Sequence, residues 1–108
     1  MDGVRITPTV ASVLREFLED PSRSRYGFEL MKCCEIPSGS LYPILARLER
    51  AAWIIGQSES IDPVKEGRPP RKHYRLTETG TVAARAALAN FSAHLDKLSA
   101  RLRLPVTD

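Results

Sequence analysis

Apolar residues recur along this chain with helical spacing in four places and with strand spacing in two. Val10, Val13, Leu14, Phe17 and Leu18 fall at i, i+3, i+4, i+7 and i+8, which predicts one amphipathic helix over about residues 8–19. Thr7-Pro8 suits its start, because threonine can cap and proline is preorganised at the first helical position. Asp20-Pro21-Ser22 suits its end. Tyr26 to Cys34 predicts a second helix, with Tyr26, Leu30 and Cys33 on one face and Phe28 and Met31 beside it. Gly27 costs that helix about 1 kcal/mol against alanine, so close approach of another helix is expected there. Ile36-Pro37-Ser38-Gly39 forms a turn, and a third helix follows from Ser38 or Ser40 to Ala51. Its inward face is Leu41, Ile44, Leu45 and Leu48, and Pro43 must lie near its start.

Trp53–Ser58 reads as a strand and Lys72–Leu76 as its antiparallel partner. Pro63, Gly67, Pro69 and Pro70 confine the stretch between them to a loop. Thr77-Glu78-Thr79-Gly80 opens a last helix running to about Arg103, with Pro105 as its stop. Along it Ala84, Leu88, Phe91, Leu95, Leu98 and Leu102 alternate at four and three, an a/d seam over nearly three heptads. Val10 and Leu14 of the first helix are expected to join Leu88, Phe91, Leu95, Leu98 and Leu102 in a dimer interface. The fold class is therefore mainly α with a small β part (α+β). A winged helix-turn-helix domain over residues 1–76 precedes a dimerisation helix and tail over 77–108.

At 108 residues the chain is one small unit, and its 43% hydrophobic and 27% charged residues are ordinary for a soluble domain. The net charge of +3 is modest, but its place is informative. Lys65, Arg68, Arg71, Lys72 and Arg75 outnumber Asp62 and Glu66 by three, so residues 61–76 carry the whole excess. A local cationic hairpin is an anion-binding feature. It follows a helix whose outward side carries Ser40, Tyr42 and Arg47. That pair of elements is how a winged helix grips duplex DNA. No apolar run reaches the length of a membrane span. Met1-Asp2-Gly3-Val4-Arg5 lacks an apolar leader, so a cytoplasmic protein is expected.

Motifs in order along the chain extend this reading. Tyr26-Gly27-Phe28-Glu29-Leu30, Pro37-Ser38-Gly39-Ser40-Leu41-Tyr42-Pro43-Ile44-Leu45 and Arg47-Leu48-Glu49 come first. Trp53-Ile54, Gly67-Arg68-Pro69-Pro70-Arg71-Lys72 and Tyr74-Arg75-Leu76-Thr77-Glu78-Thr79-Gly80 follow. Together they resemble the PadR family of bacterial transcriptional regulators over about residues 8–90, in its short form with one C-terminal helix. The resemblance implies a homodimeric repressor on a palindromic operator, with the third helix in the major groove and the wing beside it. It implies DNA contacts from Ser38, Ser40 and Tyr42, with Arg47 a further candidate, and from Arg68, Arg71 and Lys72 in the wing. Family members often have glycine where Glu35 and Ala52 stand, both at helix ends that favour a left-handed residue. Here another route out of each helix is expected, such as a tighter or longer last turn. Glu35 also adds a negative charge beside the DNA-facing turn.

Other chemistry finds little support. Cys33 and Cys34 are adjacent, His73 and His94 lie far from them, and no metal-ligand spacing appears, so neither metal nor cofactor is expected. No nucleophile-and-base set, carboxylate pair or phosphate loop points to an enzyme. The partners expected are double-stranded DNA and a second copy of the chain, with room for a small-molecule effector of unknown identity. Phe91 is the only aromatic residue of the last helix, so a stacking site there is weak or absent. The alternative function is a winged-helix module that binds protein without specific DNA binding.

Overall fold

The computed structural model describes residues 4–102. The predicted helix end near Arg103 and stop at Pro105 lie outside these. The order is α1 (Pro8–Glu19), β1 (Arg25–Tyr26), α2 (Gly27–Cys34), α3 (Ser38–Arg50), β2 (Ile54–Ser58), α4 (Pro63–Glu66), β3 (Lys72–Leu76) and α5 (Glu78–Leu102). The three strands form one antiparallel sheet in the order β1-β3-β2. Ile54 faces Leu76 and Ser58 faces Lys72 across the β2–β3 hairpin, which is the wing. Strand β1 and the one-turn helix α4 inside the wing loop were not legible in the sequence. Two residues are too short for a period, and Tyr26 read as helix because it shares a face with Leu30.

The core follows the predicted periodicities. Phe17 and Val13 of α1, Leu30 of α2, Leu41, Leu45 and Leu48 of α3 and Ile54 of β2 are fully buried, and Trp53, Tyr74, Leu76 and Ala84 close the cluster. The Thr7 hydroxyl accepts from the Val10 amide and so caps α1. Gly27 answers to a specific neighbour: a methyl group there would collide with the ring of Tyr42 from α3. Gly80 is fixed harder, since a Cβ would overlap the backbone carbonyl of Trp53. Beside it, the Thr77 hydroxyl accepts from the Gly80 amide (2.8 Å) and donates to the Ala52 carbonyl (2.8 Å). The Thr-Glu-Thr-Gly sequence thus pins the start of α5 to the junction of α3 and β2.

The exits from α2 and α3 correct one expectation. Neither helix avoids the left-handed region; Glu35 (φ 53°) and Ala52 (φ 61°) enter it without being glycine. Trp53 and Ala52 amides donate to the Leu48 and Glu49 carbonyls (2.9 and 3.0 Å), and the Ile36 amide donates to the Met31 carbonyl (3.1 Å). These hydrogen bonds satisfy the last carbonyls as a glycine ending would, while each left-handed residue costs about 1–2 kcal/mol.

Helix α5 is divided. Its N-terminal part contributes Ala84, with Ala83, Ala87 and Leu88 against the core. Its remainder projects, so that the chain, helix included, is 63 Å in its longest dimension. Leu95, Leu98 and Leu102 are exposed there, Leu102 by 70%.

Candidate nucleic-acid interface

Helix α3 has two faces. Leu41, Ile44, Leu45 and Leu48 are buried, while Ser38, Ser40 and Arg47 are exposed. The α3 residues Ser38, Ser40, Tyr42 and Arg47, singled out from the sequence, therefore share the side turned away from the core. Pro37 precedes the helix and provides no side-chain cap; the Ser40 amide turns back to the Pro37 carbonyl (3.0 Å), and the Ser38 and Gly39 amides stay open at the positive end of the helix dipole. Tyr42 is 45% exposed, with its ring laid across Gly27 of α2. It is thus a surface residue held in one orientation by packing. Arg47 has no ion pair among the described residues. Glu29, the acid nearest in sequence order on α2, instead accepts from the Tyr26 amide (2.8 Å) and from Arg23 (3.2 Å).

The wing cations are placed differently. Arg68 Nη1 donates to Glu59 Oε1 at 2.7 Å, and Nη2 to Oε2 at 3.4 Å. The same carboxylate accepts from the Arg71 amide (2.8 Å) and from the Tyr26 hydroxyl (3.3 Å). With its side chain only 15% exposed, Glu59 is the centre of a brace joining the two wing stems to β1. The hydrogen bonds from Arg68, and then from the Arg71 amide, hold its pKa down to about 2 against the opposing effect of burial. A carboxylate lowered in the fold stabilises the folded state above its unfolded pKa of about 4.3, and that contribution is lost as pH falls toward 2. Arg68 is therefore tied up within the chain. Lys72 Nζ lies 3.2 Å from Glu49 Oε1 of α3 and 5.4 Å from the Tyr74 ring centre. Arg71 alone of the three has a guanidinium without a carboxylate partner among the described residues; it lies 5.2 Å over the exposed ring of Phe28. Phe28 in turn stacks on Tyr26 at 5.4 Å.

The residues expected at a dimer interface separate into two groups. Val10 and Leu14 are 2% and 0% exposed within the chain's own core, so they offer no surface to a partner and that expectation is corrected. The α1 residues that do reach the surface beside α5 are Pro8, Ser12 and Arg15; with the buried Ala11 and with Leu88, Phe91, Ser92 and Leu95 they line an open groove of about 490 Å³. The physical reason is the breadth of the apolar stripe on α1. Its 3.6-residue pattern marks a buried face without saying which helix covers it.

Sequence reasoning missed Arg25. Its side chain is buried, donating to the Glu16 carbonyl (2.9 Å), the Glu16 carboxylate (3.2 Å) and Cys33 Sγ (3.6 Å), so it joins α1 to α2. A single arginine in a polar stretch carries no signal for this. Glu59 was missed too, because its partners lie nine, twelve and thirty-three residues away. Cys33 is exposed and Cys34 half-buried, both as free thiols; burial and then the Glu16 charge push the Cys34 thiol up. Among the described residues no group of three potential ligands could hold a metal ion, and no helix is long and apolar enough to cross a membrane.

Comparison with known proteins fits this geometry. A transcriptional regulator homologue from Pyrococcus horikoshii superposes with a TM-score of 0.66 at 20% identity, covering 85% of this chain and 84% of its own. A transcriptional regulator from Clostridium thermocellum gives 0.70 at 20% identity, covering 87% and 92%. A MarR family transcriptional regulator from Silicibacter pomeroyi gives 0.60 at 16% identity, covering 90% and 62%. At such identities the likeness is one of fold, a winged helix with a long C-terminal helix. No curated protein sequence matches the chain. The model of the transcriptional regulator PadR-like family matches residues 17–86, from the end of α1 through α3 and the wing into α5, and the chain belongs to that family.

Proposed function

We propose that this transcriptional regulator is a homodimeric repressor that binds a palindromic operator through the outward face of α3, assisted by the wing. The observation that carries this reading is the exposed set Ser38, Ser40, Tyr42 and Arg47 on a helix whose opposite face is locked into the core. Side chains that can donate to or stack on base edges stand there on a rigid support, and the open amides of the helix start suit a backbone phosphate. Arg71 lies along the adjacent backbone. The protein works in the cytoplasm, where its DNA is.

The projecting part of α5 is the dimerisation element of residues 77–108, with Leu88, Phe91, Leu95, Leu98 and Leu102 as its seam. The groove between α1 and α5 receives the partner's helix, and an effector could reach the same region. A stable dimer built this way buries about 2,000 Å² or more. Replacing Leu95 and Leu98 together by aspartate should give monomer in light scattering, and an unchanged dimer would remove the seam from the interface.

One observation favours a second reading, a winged-helix module that binds protein. Two of the three candidate wing cations are already paired within the chain, Arg68 with Glu59 and Lys72 with Glu49. Titration of duplex DNA over a range of salt separates the readings. A DNA-binding protein loses affinity linearly in log-log form as salt rises, whereas the protein-binding module shows no duplex affinity to lose.

A further inference from the structure

The contact between Lys72 and Glu49 has a built setting. Lys72 and Tyr74 alternate on the same face of β3, and Gly56 of β2 stands opposite Tyr74. A side chain on Gly56 would strike both the Lys72 stem and the Glu49 carboxylate. The missing side chain leaves a notch through which Lys72 reaches α3. There its ammonium meets Glu49 at 3.2 Å, beside the Tyr74 ring. The pair joins the wing to the recognition helix, at the cleft a duplex would approach under the reading above. Both partners remain partly exposed, so the pair is weak enough to open and close.

We infer that Glu49 is an affinity-setting residue, a latch that withholds Lys72 from DNA phosphates. This rests on the DNA-binding reading and deepens it. A duplex that fits only loosely must compete with Glu49 for the lysine, so loose complexes form one phosphate contact fewer. A duplex seated by α3 brings a phosphate to the cleft and exchanges the carboxylate for it. Glu49 therefore depresses affinity for every duplex that would use Lys72, and for the operator at least as much as for non-cognate DNA. The same argument does not extend to Glu59, whose four donors and low exposure make it part of the wing's frame.

The test is fluorescence anisotropy of the full chain with a random-sequence duplex and with a duplex selected by the wild type, across salt concentrations. Wild type, Glu49→Gln, Lys72→Gln and the double variant are compared, with thermal melts to show that each is folded. For Glu49→Gln, random-duplex affinity should rise roughly threefold or more near physiological salt, and the log-log salt slope should steepen by about 0.9, one added phosphate. The ratio of selected to random affinity should stay the same or rise. In the Lys72→Gln background, Glu49→Gln should leave the slope unchanged. A wild type that binds duplexes while Glu49→Gln keeps the same slope overturns the latch and leaves DNA binding intact. Equal effects with and without Lys72 also overturn it, because Glu49 would then act by repelling DNA directly. A wild type with no affinity for any duplex overturns the DNA-binding reading itself, and the latch with it.

Discussion

Helix α3 and the wing were both marked by the sequence as DNA-facing, yet the fold treats them oppositely. On α3 the outward residues have little else to do: Ser38, Ser40 and Arg47 are exposed, and Tyr42 is held in place by Gly27. In the wing, Arg68 belongs to Glu59 and Lys72 to Glu49, and Arg71 lies on Phe28. The local excess of three positive charges falls to one once Glu49 and Glu59 are counted among the groups that meet the wing. Hydrophobic period predicts which face of a helix is free, because burial is a property of that helix. A tally of charges does not predict which charge is free, because its partner can come from any element.

The largest expected effect tests the inner face of α3. Leu45→Ala should cost about 2–5 kcal/mol of stability through a core cavity, read as a lower denaturation midpoint, while DNA preference per folded molecule stays the same. The outer face should behave in reverse. Tyr42→Ala should weaken specific binding by about 1–3 kcal/mol and reduce stability by only about 1 kcal/mol, for the half of the ring that covers Gly27. A Tyr42→Ala protein that unfolds with undiminished operator affinity per folded molecule would make the two faces of α3 alike.

The junction between helix and wing offers a change of opposite sign. Ala52→Gly relieves the left-handed strain and should stabilise by about 1 kcal/mol, raising the melting temperature. No increase would mean that the Trp53 and Thr77 hydrogen bonds already absorb the strain.

The wing should give the smallest effects, and different ones at each cation. Arg71→Ala should flatten the log-affinity against log-salt slope by about 1, equally for all sequences. Arg68→Ala should instead loosen the brace: the low pKa of Glu59 rises toward the ordinary value, and the acid-dependent part of stability between about pH 4.5 and 2 disappears. Equal slope changes for Arg68 and Arg71 would show that the two cations are not distinguished.

Much of this was legible in the chain. The long helices, the hairpin and nearly every core residue followed from apolar spacing, and Thr7, Pro8 and the Thr77–Gly80 segment marked helix starts. Three kinds of feature were not. Val10 and Leu14 were placed in a dimer seam because periodicity gives the existence of a buried face and not its covering partner. Glu35 and Ala52 take a backbone conformation their side chains disfavour, which no propensity argument would select. Arg25 and Glu59 act through contacts that only the folded chain brings together.

The central claim is that α3 reads DNA sequence as part of a two-fold dimer. Selection of duplexes from a random pool by the purified protein, followed by sequencing, tests it most directly. The account predicts an enriched inverted repeat whose half-sites lie about 34–36 Å apart, one helical turn, bound far more tightly than its scrambled counterpart. A pool that emerges without an enriched sequence, or an enriched duplex bound no better than the scrambled one, would contradict it.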